Sequence, residues 1–161
     1  MAYEKKGENN QAIKNYEKAI DVDSKNSLAF FNLGTIYKKE NIIDKAENYL
    51  KKSIDLNPNF ISSYSNLFDL YDRSNQIEKY GELLNKSENF IKDKNIINLY
   101  SGIHEYKKKN YKKTIEILKS SNLNENYYLQ NIYRSGILAK CYDQIEKFDK
   151  AFFYFKKNNE L

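Results

Sequence analysis

The side chains best suited to covalent or metal chemistry are scarce in this sequence, which has one His, His104, and one Cys, Cys141. A nucleophilic thiol needs a base or a positive field beside it, and a zinc site needs several His or Cys ligands at short spacing. Neither arrangement occurs. Cys141 sits one residue before Tyr142 in a stretch of apolar helical character, and reads as a buried, inert thiol. His104, two residues past Gly102, reads as structural or simply exposed. No glycine-rich phosphate loop is present. The clusters Lys38-Lys39, Lys107-Lys108-Lys109, Lys112-Lys113 and Lys156-Lys157 could grip phosphates. Most of them fall near helix ends, where lysine complements the helix dipole, and acidic residues lie close to most of them. They read as solvated faces. The expected chemistry is therefore non-covalent, with no catalytic residue, cofactor or metal, and with neither nucleic acid nor a membrane as partner.

Composition sets the frame for that expectation. The 27 basic and 22 acidic residues leave a net charge of +5, a mild excess on a mixed surface. One Pro and five Gly in 161 residues suit long helices joined by short turns, and argue against a β-sandwich or a disordered tail. A lone Cys excludes an internal disulfide and fits a reducing compartment. No apolar run approaches the roughly 20 residues that span a bilayer, and MAYEKKGENN is no signal peptide. A cytoplasmic location is expected.

The elements that would position any binding group show themselves through an internal repeat. Tyr3, Tyr37 and Tyr71 lie 34 residues apart, as do Ala12, Ala46, Tyr80 and Thr114. The same interval links Tyr16, Leu50, Leu84 and Leu118, and links Ala19, Ser53, Ser87 and Ser121. Phe30, Leu33, Gly34 and Tyr37 recur at helical spacing and form one stripe, and Ile43, Ala46, Leu50 and Ile54 form another. Gly34 and Ala46 are small where the two helices must approach. Pro58 cannot continue a helix, so the second helix is predicted to stop near Leu56.

A period of 34 is that of the tetratricopeptide repeat (TPR), and residues 27–60 resemble a unit of that family at nearly every signature place. Phe30 stands where Trp is usual, Leu33-Gly34 match Leu-Gly, and Tyr37, Ala46, Leu50, Ser53 and Pro58 match the remaining places. The resemblance implies an all-α superhelix, a TPR solenoid of about four to five helix pairs with the first pair truncated. It forms a single array with repeats at residues 1–26 (partial), 27–60, 61–94, 95–128 and 129–161. In the first repeat a turn is expected at Gly7, between the end of one helix and a full second helix around Ala12, Tyr16 and Ile20, and more repeats are expected before Met1 in the natural protein. The third repeat departs from the family with Phe68 in place of Gly and Tyr80 in place of Ala, which should widen that helix pair. In the fourth, Glu105 occupies the Tyr place. The period then slips by three, so that Tyr142, Phe148, Ala151 and Phe155 follow Glu105, Tyr111, Thr114 and Leu118 at 37 residues. The last first-helix is accordingly expected to begin near Asn126 and to be longer than the others.

In arrays of this family the first helix of each pair (helix A) lines a concave groove at the second, fifth, sixth, ninth, twelfth and thirteenth places. The sixth place holds Asn32, Asn66 and Tyr100. A carboxamide both donates and accepts, so stacked Asn residues resemble the asparagine ladder that grips an extended peptide backbone. Neighbouring places hold Thr35, Lys38 and Lys39 in one repeat and Asp69, Asp72 and Arg73 in the next. The residues expected to touch a peptide are Asn32, Thr35, Lys39, Asn66, Asp69, Arg73 and Tyr100. Leu28 and Ser62 occupy places where a carboxylate clamp would need basic residues, which disfavours a chaperone tail as ligand.

The function these features imply is a non-catalytic scaffold that binds a protein or an extended peptide. A second resemblance offers an alternative. Cys141-Tyr142-Asp143, Phe148-Asp149-Lys150-Ala151-Phe152 and Asn158-Asn159 are similar to the final repeat of bacterial TPR–sulfotransferase fusions, which would make the chain the substrate-binding arm of a larger enzyme. A third reading is a homo-oligomer formed through exposed terminal helices.

Overall fold

The structure is a computed structural model that describes residues 2–121 and 128–160, with side chains at 8–121 and 128–157. The described residues form nine helices and no strand: α1 (Ala2–Val22), α2 (Ser27–Lys39), α3 (Ile43–Leu56), α4 (Ile61–Arg73), α5 (Ile77–Ser87), α6 (Lys94–Lys107), α7 (Tyr111–Ser120), α8 (Tyr128–Gln144) and α9 (Phe148–Glu160). This is the all-α architecture expected from the repeat.

Sequence pattern fixes where the helices start and stop. The Asn26 side chain accepts a hydrogen bond from the Ala29 amide at 3.0 Å and caps α2, and Asp93 caps α6 through the Asn95 amide at 2.8 Å. α3 ends at Leu56, two residues before Pro58, as the missing amide proton requires. One expectation fails. The turn expected at Gly7 does not form, and α1 runs unbroken from Ala2 to Val22. A single glycine costs a helix about 1 kcal/mol, too little to break one by itself. The surrounding Glu, Lys, Gln and Ala are good helix formers.

The turn from each A helix to its partner is the same object four times over. Asn41, Asn75, Lys109 and Glu146 each adopt a left-handed conformation, with φ of 59°, 54°, 61° and 58°. In each case the amide one residue on reaches back to a carbonyl inside the helix: Ile42 to Tyr37 (2.9 Å), Gln76 to Tyr71 (2.9 Å), Asn110 to Glu105 (3.0 Å) and Lys147 to Tyr142 (2.9 Å). This is a Schellman C-cap. The left-handed residues lie 34, 34 and 37 apart, so the three-residue slip read from the sequence is present in the backbone. It falls where α8, at 17 residues, exceeds the 13, 13 and 14 of α2, α4 and α6. The expected start of that helix near Asn126 lies outside the described residues.

Two compact units divide the chain, Met1–Gln76 and Ile77–Leu161. In the first, α2 packs on α1, α3 and α4, and α3 on α4. Its core holds Leu33, Tyr37, Ala46, Leu50, Ile54, Tyr64, Leu67 and Tyr71, all buried. Gly34 is required here, since a Cβ on it would lie 2.7 Å from Leu50 Cγ. In the second unit α5 packs on α6, α6 on α7 and α8, α7 on α8, and α8 on α9. A Cβ on Gly102 would lie 2.3 Å from Leu118 Cδ2, the same close approach one helix pair later.

Two polar devices recur with the repeat. Ser53 Oγ donates to the Ser27 carbonyl at 2.9 Å, and Ser121 Oγ donates to the Asn95 carbonyl at 2.9 Å. Each hydroxyl ties the end of a second helix to the start of its partner. Tyr37 stacks on Tyr49 at 5.4 Å with the Lys45 ammonium 4.9 Å from the Tyr37 ring. Tyr142 stacks on Tyr154 at 5.5 Å with Lys150 at 5.7 Å. Each member of the second trio lies 105 residues after its counterpart, the interval given by two full periods and the longer one.

Candidate functional site

The A helices of the first unit, α2 and α4, carry six of the seven residues expected to meet a peptide. Helical spacing sets Asn32, Thr35 and Lys38 along one face of α2, and Asn66, Asp69 and Arg73 along one face of α4. The core stripes of both helices are buried, which leaves these polar faces half-exposed at the surface.

The polar groups form one continuous chain. Thr35 Oγ1 donates to the Phe31 carbonyl at 2.9 Å, and so receives the Asn66 Nδ2 proton at 3.0 Å on a lone pair. The Asn66 Oδ1 accepts from the Lys38 ammonium. Lys38 Nζ also lies 2.8 Å from Asp69 Oδ2, and Asp69 Oδ1 accepts from Arg73 Nε at 2.9 Å. Because ammonium only donates, Asn66 must turn its carbonyl toward Lys38 and its amide toward Thr35. The orientation of that side chain is set by its neighbours. Each end keeps capacity for one more partner: a second amide proton and a second carbonyl lone pair.

Of the expected residues, the structure brings Thr35, Asn66, Asp69 and Arg73 together. Asn32 is half-buried one turn earlier on α2, and Lys39 is exposed at its end. Tyr100 does not serve as expected. It is only 7% exposed, in a run where Ile96, Leu99 and Ile103 are buried too. Apolar residues at the groove places of α6 go to the core, so Tyr100 offers a ligand little surface. The residue missing from the expected set is Lys38, which joins α2 to α4. Its signal was present in the sequence at the twelfth groove place, one turn from Thr35.

The groups with covalent potential are taken up in packing. The His104 ring stacks on Tyr80 at 5.8 Å, and a Cβ on Gly81 would lie 3.0 Å from it. Burial and then the charge of Lys108 push its pKa below 6.5, against the pull of Glu105. Cys141 is fully buried, and burial pushes its thiol up to about 11. Glu105, standing in the Tyr place, is buried yet ionised. Burial raises its pKa, but hydrogen bonds from Asn110 (2.7 Å) and Lys113 (3.0 Å), with the charge of Lys108, hold it below the ordinary carboxyl value. Two of the clustered lysines are thereby occupied with Glu105. Among the described residues no three His, Cys, Asp or Glu come together as a metal site, and no helix is long and apolar enough to cross a membrane.

Known families agree with this geometry. The family model described as "TPR repeat" matches residues 2–41, and that described as "Tetratricopeptide repeat" matches residues 27–60. Residues 2–60 carry tetratricopeptide repeats. Solved TPR folds extend the likeness over nearly the full length of the chain. MamA superposes with a TM-score of 0.74 at 20% identity, covering 98% of this chain and 90% of MamA. A MamA fragment from Desulfovibrio magneticus RS-1 gives 0.73 at 14% identity, covering 98% and 87%. YrrB, described as a TPR protein with an unusual peptide-binding site, gives 0.66 at 16% identity, covering 90% and 73%. These identities establish the fold. Among curated proteins, none matches the sequence significantly.

In TPR terms, the residues that resemble the sulfotransferase-fusion repeat are partly core. Tyr142 is held by the Tyr–Tyr–Lys trio, while Cys141 and Ala151 are buried. The side chains of Asn158 and Asn159 lie outside the described residues.

Proposed function

We propose that this chain is a non-catalytic scaffold whose α2–α4 face binds an extended peptide or an extended segment of a partner protein. One observation carries the reading: the chain of hydrogen bonds from Thr35 through Asn66 and Lys38 to Asp69 and Arg73. It holds a carboxamide in a fixed orientation with one donor and one acceptor position to spare. Those are the two groups an extended peptide backbone presents. Pre-organisation lowers the entropy lost when a ligand binds. Lys38, Lys39 and Arg73 outnumber Asp69 and Asp72 on this face, which favours a ligand with a net negative segment. YrrB, whose fold is similar, is described as having a peptide-binding site, which supports the peptide reading.

The test is selection from a random peptide library displayed on phage, followed by affinity measurement of the enriched peptide against Asn66→Ala and Lys38→Met variants. Both variants should weaken binding by about tenfold or more while the helical circular dichroism is kept. Unchanged affinity in both would remove the α2–α4 face from the function.

A further inference from the structure

Helix α9 carries an apolar face that the groove reading does not use. Phe148, Phe152 and Phe155 recur at spacings of four and three and share one face. They are 63%, 71% and 45% exposed, and Phe153 on the flank is 59% exposed. The Tyr–Tyr–Lys trio sets the register between helices. In that register Phe152 corresponds to Glu47 of α3, whose carboxylate accepts a hydrogen bond from the Tyr71 hydroxyl of α4 at 3.0 Å. The stripe of α9 thus corresponds to the face on which α3 meets a further helix.

Its size and charge select an occupant. At these exposures, with roughly 200 Å² for each phenylalanine, the four present about 450 Å² of apolar surface. That is the size of the largest apolar patch on a typical monomer, which is often functional. Doubled by a two-fold axis it gives about 900 Å², in the range of weak, transient interfaces below roughly 1,200 Å². Asp149 and Lys156 lie about 20° apart around the helix, on the same flank of the phenylalanine stripe and at opposite ends of it. When two copies of this helix pair antiparallel about a two-fold axis near Phe152, Asp149 of each copy faces Lys156 of the other. A parallel pair would put the two copies of this flank on opposite sides of the seam and form neither pair.

We infer that α9 is a self-association surface, on which a second copy of this chain packs its own α9 antiparallel with the crossing point at Phe152. The interface is isologous and sized for a weak, reversible dimer. It is independent of the peptide groove, since none of its residues lies on α2 or α4.

Sedimentation velocity of the full chain across about 1 to 300 µM, a range that brackets weak dimers, tests it. The expected result is a reversible monomer–dimer equilibrium. Phe152→Asp should raise the dissociation constant at least about 30-fold, with unchanged circular dichroism. Asp149→Lys should also weaken the dimer, and adding Lys156→Asp in the same chain should restore it. Phe152→Cys should give a covalent dimer under mild oxidation in air. Phe148→Cys should not, because its two copies would lie roughly 12 Å apart along the helix. The native thiol of Cys141 is buried and does not compete. A monomer at every concentration would overturn the inference. So would a dimer indifferent to Phe152→Asp and to the charge swap, or a mass that climbs without limit.

Discussion

The Lys38 ammonium lies 2.8 Å from the Asp69 carboxylate, joining α2 to α4 across the face proposed to bind peptide. Lys38 is 15% exposed at its side chain and Asp69 is 37% exposed, so the pair is screened only in part. A double-mutant cycle with Lys38→Met and Asp69→Asn should give a coupling of about 0.5–1 kcal/mol in chemical denaturation. Asn66→Ala should cost about 1 kcal/mol, because it removes one hydrogen bond to each neighbour. A coupling of zero would mean that the ammonium is not held as described.

Helix contact at the two glycines sets the largest expected stability effects. Ala would gain roughly 1 kcal/mol of helix propensity over Gly. At Gly34, however, the added carbon meets Leu50 Cγ at 2.7 Å and the Leu50 backbone nitrogen at 3.1 Å, so the neighbour cannot simply swing away. Overpacking of about 1–3 kcal/mol outweighs the gain. Gly34→Ala and Gly102→Ala should therefore each destabilise, by up to about 2 kcal/mol, in urea denaturation. Stabilisation by either would contradict the close packing of these pairs.

The left-handed turn residues predict changes of opposite sign. Asn41 and Asn75 tolerate that conformation, whereas Lys109 and Glu146 hold it at a strain of roughly 1–2 kcal/mol. Glycine relieves the strain and gives back about half of it as backbone entropy. Lys109→Gly and Glu146→Gly should each stabilise by about 0.5–1 kcal/mol, read as a higher Tm. Asn41→Gly should change little.

His104 makes a pH signature readable, since it is the single His of the chain. Its folded pKa is lowered, first by burial and next by Lys108. The unfolded state therefore takes up a proton near pH 6.5 while the folded state still resists it. Stability is intact above pH 6.5 and falls as pH drops from there through the lowered folded value. NMR titration of the His104 ring should give a pKa below 6.5, and His104→Phe should flatten the decline in Tm over that window. A ring titrating at or above 6.5 would refute the burial.

Much of the fold was legible because the chain states its pattern several times. The 34-residue offsets, the small residues at Gly34 and Ala46 and the slip of three all reappear as helix pairs, close contacts and turn spacings. Gly7 misled because a lone glycine reads as a breaker, and only neighbouring propensities decide whether it is one. The site was legible in part. Groove places named Thr35, Asn66, Asp69 and Arg73, but not that Lys38 reaches across to two of them, since side-chain reach between helices has no trace in linear spacing. Tyr100 misled for a related reason: a groove place becomes core when its neighbours are apolar. Exposed terminal helices were legible as a route to a homo-oligomer, but not which residues of α9 stay uncovered, because apolar helical periodicity looks the same whether or not another helix covers it.

If an extended peptide lies on the α2–α4 face, NMR mapping shows where it sits. A peptide enriched from the random library would be titrated into isotope-labelled chain. The side-chain amides of Asn32 and Asn66 and the backbone amides of Thr35, Lys38, Asp69 and Arg73 should shift together and saturate at one stoichiometric equivalent. Shifts confined to other residues, with the Asn66 amide unmoved at saturation, would contradict that placement.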